Sequence, residues 1–165
     1  MASPAPRHHY RIERGTADDL DSVMIVMKAA FGDRFGEAWT RSQCSGILPM
    51  GGISLALARD PERLDVAGFA LARTIADEAE LLLLAVAPDH QRRGIGLQLL
   101  GDFMDRARAF GASKLHLEVR AGNPAIAMYR AAGFEPVGRR RNYYQGADGK
   151  RCDALTFALD LAQPD

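Results

Sequence analysis

Apolar positions along the chain follow distinct rhythms, and each rhythm predicts an element. Leu20, Val23, Met27 and Phe31 are spaced for one face of a helix. Thr16 stands where an N-cap would, Asp19 follows three residues on, and Gly32 marks the end. A weaker helical pattern over Glu37–Ile47 is closed by Pro49, Gly51 and Gly52. Ile53–Arg59 and Val66–Ile75 read as strands about the turn Asp60-Pro61-Glu62. Leu81–Val86 is apolar at every position, which predicts a central strand buried on both faces. From Gly96 the period turns helical again through Leu97, Leu100, Met104 and Ala107, with Phe103 widening the stripe and Gly111 as stop. Lys114–Arg120 alternates, with His116, Glu118 and Arg120 opposite Leu115, Leu117 and Val119. Asn123-Pro124 then starts a short helix that Gly133 stops. Phe134–Arg140 and Asp153–Leu159 form a last pair of strands, joined by a polar connection over Asn142–Lys150. His8–Glu13 alternates weakly as a first strand, after a disordered start at residues 1–7. Strands interleaved with helices in this order predict one α/β (α+β) mixed-sheet domain over residues 8–162.

The passage from the apolar run into the following helix carries the first chemistry. After Pro88-Asp89, the segment Gln91-Arg92-Arg93-Gly94-Ile95-Gly96 turns directly into a helix N-terminus. Backbone N–H groups there point outward, glycines permit close approach, and the helix dipole favours negative charge. Two arginines add positive charge where a diphosphate would sit. An ordinary strand–turn–helix corner has the same local grammar. The first glycine of the dinucleotide fingerprint G-x-G-x-x-G is missing, and no G-K-[ST] occurs, so neither a nicotinamide site nor a Walker-type loop is indicated.

Composition narrows the class. The 165 residues are 47% hydrophobic and 25% charged, long enough for one domain with a real core. Twenty-one basic side chains balance 21 acidic ones, which gives no reason to expect a nucleic acid or an anionic membrane as partner. Cys44 and Cys152 form no metal or redox motif, and His90 and His116 lack ligand spacing, so no metal is expected. With two distant cysteines, no signal-peptide pattern and no apolar run near the ~18 residues of a membrane span, a cytoplasmic protein is expected.

Three segments together resemble one superfamily. Gln91, Gly94 and Gly96 match the Q-x-x-G-x-G pyrophosphate loop of the GNAT acetyltransferases. Leu117-Glu118-Val119-Arg120 with Asn123, then Ala127 through Tyr129 to Gly133-Phe134, is similar to their L-E-V-R-x-x-N … A-x-Y-x-x-x-G-F segment. Arg140-Arg141-Asn142-Tyr143-Tyr144 with Asp148-Gly149 downstream resembles a segment of the RimI group, which acetylates protein N-terminal amines. The likeness covers roughly residues 66–160. It implies a mixed sheet whose two central strands splay, with acetyl-CoA as co-substrate in the cleft. The pyrophosphate would lie on Gln91, Arg92, Arg93, Gly94, Ile95 and Gly96. Pantetheine amides would pair with the edge at Leu84, Ala85 and Val86, the Val86 N–H polarising the thioester carbonyl. Asn123 would contact the cofactor, although it stands one residue closer to Tyr129 than the family spacing, a rotation of ~100° that the loop must absorb.

The resemblance also implies the catalytic pair, Glu118 as base and Tyr129 as acid. Deprotonating an α-amine at pH 7 costs about 1–1.4 kcal/mol, against about 5 for a lysine, and a carboxylate suits the smaller task. A tyrosine passing its proton to a thiolate works uphill by roughly 2 kcal/mol in water. Plain alternatives stand beside these roles, a solvated strand residue for Glu118 and a core tyrosine for Tyr129. Arg139–Arg141, Arg141 among them, would form a wall of the substrate cleft or else a solvated strand end, and Tyr143 and Tyr144 would hold the acceptor's backbone or else cover the sheet edge. Trp39, Phe31 and Phe35 read as core beneath the first helices. Three functions compete: acetylation of a protein N-terminal α-amine, acetylation of a small amine or amino acid, and acyl-CoA binding without turnover. Monomer and homodimer both remain open.

Overall fold

The computed structural model describes residues 10–161. The disordered start expected over residues 1–7, and the limits 8 and 162 of the expected domain, lie outside the described residues. Seven strands form one sheet in the order β1-β2-β3-β4-β5-β7-β6. They are β1 (Arg11–Arg14), β2 (Ile53–Arg59), β3 (Val66–Ile75), β4 (Glu78–Val86), β5 (Lys114–Arg120), β6 (Glu135–Gln145) and β7 (Arg151–Asp160). All neighbours pair antiparallel except β4 and β5. Helices α1 (Leu20–Phe31) and α2 (Arg41–Ile47) cover one face, and α3 (Ile95–Ala109) and α4 (Ile126–Ala131) cover the other. Among the described residues, no helix is long and apolar enough to cross a membrane.

The parallel pair decides where a site can form. β4 and β5 are in register only from Glu78↔Lys114 to Leu81↔Leu117. Beyond that point the strands part, leaving a seam in the middle of the sheet, as the splay implied by the resemblance requires. A bulge marks the parting: Leu71 of β3 faces Leu83 and Ala72 faces Leu81, so Leu82 is the extra residue. The bulge also corrects the expectation of a strand buried on both faces. Along β4, buried and half-buried positions alternate. Ala79 and Leu81 join the core under α3, whereas Leu83 and Ala85 join the core under α1. Leu84 and Val86 are only half-buried, because the seam opens beside them.

Several boundaries move for identifiable reasons. The second helix begins at Arg41 rather than Glu37, because Thr40 and Gln43 form a reciprocal cap: the Thr40 hydroxyl accepts from the Gln43 N–H, and the Gln43 side chain accepts from the Thr40 N–H. The apolar stripe of α3 is Ile95, Leu99, Leu100, Phe103 and Ala107, while Leu97 is exposed and Met104 half-buried. Both phases satisfy helical spacing, and contact with the sheet selects this one. α4 starts at Ile126, after a turn in which the Asn123 carboxamide oxygen accepts from the Ala125 N–H. β6 runs on to Gln145, so Arg141, Tyr143 and Tyr144 lie in the strand and not in the connection. A bulge sets residues 141–143 against Asp153, whose carboxylate accepts from the Asn142 N–H. β1 is confined to Arg11–Arg14 among the described residues, and Leu81 is preceded in its strand by Glu78–Glu80.

Candidate active site

The turn from β4 into α3 is a strained but well-tied corner. Arg92 and Gly94 both adopt left-handed backbone (φ 66° and 80°), and the Gln91 carboxamide donates to the Val86 carbonyl at 3.2 Å. The first intrahelical bond runs from the Gln98 N–H to the Gly94 carbonyl, which leaves the N–H groups of Ile95, Gly96 and Leu97 without helical partners. A Cβ on Gly94 would meet nothing within 4 Å, so that face of the turn is open. The two arginines part company. Arg92 lines the cleft, whereas the Arg93 guanidinium donates to the Tyr10 hydroxyl at 2.8 Å, itself 3.0 Å from His90 Nδ1. Arg93 therefore braces the turn against the residue just ahead of β1.

The edge of β4 faces the seam at Leu84 and Val86, while Ala85, opposite Phe69, turns its polar groups toward β3. The Ala87 N–H bonds to Ala67 on the β3 side, so by strand alternation the polar groups of Val86 and Leu84 point into the seam. The cleft they border holds about 660 Å³ and is lined by Leu84, Ala85, Val86, Gln91, Arg92, Gly94, Ile95, Gly96, Asn123 and Tyr129, with Phe31, Phe35 and Glu37 on the far wall. A smaller cavity of about 50 Å³ continues between β4 and β5, lined by Leu117, Glu118, Arg120, Tyr129 and Tyr144. The two share Phe31, Glu37, Leu84, Arg120, Asn123 and Tyr129. Their junction is where a bound thioester and an amine arriving through the seam would meet.

Tyr129, from α4, lines both cavities, whereas Glu118, from β5, lines only the smaller one. Glu118 Oε1 is paired with Arg140 Nε at 2.9 Å, across a cross-strand face shared by Arg120, Ala154 and Arg140. Tyr129 is buried edge-on against Phe134, with ring centroids 6.1 Å apart. Burial, with the Glu37 charge adding to it, pushes its phenol up to about 12. A full proton transfer from there to a thiolate is uphill by about 5 kcal/mol, steeper than the value in water. Tyr129 thus stays protonated at neutral pH and can only donate a hydrogen bond there. Tyr144 is half-buried on the seam and its phenol is also raised, by burial first and then by the charges of Glu118 and Glu37. Tyr143 stands exposed with its ring edge-to-face on Tyr144, and Arg141 is exposed on β6. Of these three, only Tyr144 lines the cavity.

One member of the site is absent from the sequence-level candidates. Glu37 lies in the loop between α1 and α2, and its carboxylate accepts from Arg120 Nε at 3.0 Å and from the Asn123 carboxamide at 2.9 Å. The Glu37 and Arg120 side chains are only 11% and 10% exposed, and the Arg120 guanidinium stacks 3.6 Å from the centre of Phe35. Both ends of the Asn123 carboxamide are thereby engaged within the protein. Phe35, read as core, is one jaw of this clamp, while Trp39 packs half-buried under α1. The signal that locates Glu37 was present in Thr40-x-x-Gln43, a capping box that ends any helix reading before Arg41. The same loop crosses the β6–β7 turn at close range. A Cβ on Gly36 would sit 2.1 Å from the Gln145 carbonyl oxygen, and one on Gly146 would sit 1.9 Å from that of Arg34.

The model of the acetyltransferase (GNAT) family matches residues 21–134, more than half of the chain and spanning the turn, the seam and α4. The chain belongs to the GNAT family. Among individual GNAT relatives, the [ribosomal protein bS18]-alanine N-acetyltransferase of Escherichia coli K12 is 44% identical over 98 residues, 59% of this chain and 66% of that protein. The N-alpha-acetyltransferase RimI of Mycobacterium tuberculosis is 41% identical over 57% of this chain and 56% of its own length. The matched stretch thus spans less than two thirds of these relatives. The crystal structure of the ribosomal-protein-S18-alanine N-acetyltransferase from Escherichia coli superposes with a TM-score of 0.84 at 31% identity, covering 95% of this chain and 97% of that one. The seven-stranded sheet parted between β4 and β5 is accordingly a GNAT fold.

Proposed function

We propose that this GNAT chain transfers the acetyl group of acetyl-CoA to the α-amine of a protein N-terminus, with a ribosomal protein alanine as the acceptor in the cytoplasm. The observation that carries this reading is the pair of joined cavities along the open edge of β4, with Tyr129 lining both and Glu118 lining the smaller one. The glycine turn supports the phosphate end: unpaired N–H groups of Ile95, Gly96 and Leu97, the uncrowded Gly94 and the Arg92 side chain suit a diphosphate. The matches to ribosomal-protein-alanine acetyltransferases support the acceptor.

The chemistry follows from what each group can hold. The acceptor arrives as an ammonium, and Glu118 takes one proton from it. The free amine nitrogen then attacks the thioester carbonyl carbon, whose oxygen the Val86 N–H polarises. The carbon–sulfur bond breaks, and Tyr129 donates a hydrogen bond to the departing sulfur. The second amine proton ends on that sulfur, giving the amide and the free thiol, and Glu118 returns its proton to water. For an α-amine the first proton costs little at neutral pH, so one carboxylate suffices.

The test is acetylation of two matched peptides, read by mass spectrometry. One has a free N-terminal alanine. The other has that terminus blocked and an internal lysine. Acetylation confined to the free terminus supports the reading. Silence on both peptides, with acetyl-CoA consumed on small amines, would replace it with a small-molecule acceptor.

A further inference from the structure

Two carboxylates reach the seam, and their partners differ in kind. Glu37 holds Arg120 in a pair with both side chains about nine-tenths buried, stacked on Phe35 and shared with Asn123. Glu118 holds Arg140, whose side chain is 63% exposed on β6 and whose guanidinium lies loosely, 5.6 Å from the Tyr143 ring centre. Ala154 of β7 stands opposite both Arg120 and Arg140, and Glu118 lies on the diagonal from Arg140, opposite Thr156. The guanidinium sits on Oε1 of Glu118 and neutralises the carboxylate, so an acceptor ammonium meets its full attraction only once Arg140 has left.

We propose that Arg140 is a displaceable stand-in for the acceptor ammonium on Glu118, neutralising the seam until the acceptor takes its place. This rests on Glu118 receiving the acceptor's proton, as read above. Displacing Arg120 from Glu37 would strand a buried charge, whereas an exposed arginine simply swings into water, where an ion pair of this kind is weak. The exchange swaps one cation for another at Glu118, so the charge of the seam stays constant as the acceptor enters. Arg140 is therefore a competitor of the acceptor, and its removal should tighten acceptor binding. A residue serving as a wall of the acceptor site predicts the opposite sign.

The experiment compares wild type, Arg140→Ala and Arg140→Lys with two peptides of one sequence. The first ends in a free α-amine and is an ammonium at the assay pH. The second carries an N-terminal aminooxy group, nucleophilic but uncharged. Arg140→Ala should lower KM for the ammonium peptide about two- to fivefold at low salt, the range of an exposed ion pair. KM for the aminooxy peptide should stay put, and Arg140→Lys should behave as wild type. An unchanged or raised KM for the ammonium peptide overturns the proposal, as does an equal change for both peptides. If the wild type acetylates neither peptide, the acceptor reading itself fails and takes this proposal with it. Circular dichroism of each variant separates these results from loss of fold.

Discussion

Removing Glu37 should cost this protein more stability than any other single change in the seam. Glu37→Ala deletes the Nε partner of Arg120 and the acceptor of the Asn123 carboxamide, at 3.0 and 2.9 Å, in a place where both charged side chains are about nine-tenths buried. Breaking a buried pair from one side leaves an unpaired charge and costs about 3–5 kcal/mol. Arg120 retains the Phe35 face and one bond from Nη1 to the Ala121 carbonyl at 3.2 Å. These reduce the expected loss to about 2–4 kcal/mol. Urea unfolding should show it as a lower midpoint at constant slope, and a thermal scan as a fall of roughly 5–15 °C for a chain of this size. The double variant Glu37→Ala with Arg120→Met removes the orphaned charge and should be more stable than Glu37→Ala alone. A Glu37→Ala loss within 0.5 kcal/mol, or a double variant less stable than the single, would refute the reasoning.

Three other outcomes are expected. Glu118→Gln should lower kcat with an N-terminal peptide about 100-fold or more while leaving acetyl-CoA affinity within twofold, by stopped-flow and calorimetry, because the proposed base is lost and the larger cleft, which Glu118 does not line, is untouched. Gly94→Val forces a β-branched residue to φ 80° on the face turned to the phosphate, and calorimetry should show acetyl-CoA binding weakened at least tenfold. Tyr129 keeps its proton up to about 12 in the folded chain, against about 10 when unfolded, so the unfolded state loses its proton first. Stability must then fall as pH rises between those values, by up to about 3 kcal/mol, and Tyr129→Phe should flatten that slope in denaturant titrations. A slope unchanged in Tyr129→Phe would mean that burial does not hold the phenol.

The legible parts of the site are those written in consecutive residues. The glycine turn, the alternation of β5 and the Tyr129–Phe134 segment each lie within one element and its cap, where backbone preference and side-chain period agree. The splay followed only from the family likeness, because a strand's register with its parallel neighbour is a property of two distant segments. Leu82 shows why: nothing in Leu81-Leu82-Leu83-Leu84 distinguishes the bulged residue, which is defined by its pairing with β3. Glu37 was hidden by a helical period that ran on through it, although the Thr40–Gln43 cap stops the helix locally. Arg93 had the right charge in the right turn, yet the Tyr10 hydroxyl, just ahead of β1 and far away in sequence, decides where it points.

That division separates the two halves of the reaction. The proposed phosphate end is built from one continuous stretch, β4 through the first turn of α3. The acceptor end is assembled from the loop before α2, the end of β5 and the β6–β7 hairpin, locked by Glu37 on Arg120 and by the glycine crossing at Gly36 and Gly146. Each contact joins segments far apart in the chain, and a change in any one re-shapes the others. Acceptor choice can thus shift through the loop before α2 without touching a residue of the phosphate turn. Asn123 is where the halves meet: its carboxamide donates to Glu37 on the acceptor side and caps the turn into α4, which carries Tyr129. Loosening the Glu37 clamp should therefore be felt at Tyr129 as well as at the acceptor, whereas changes confined to Gly94 should reach the cofactor alone.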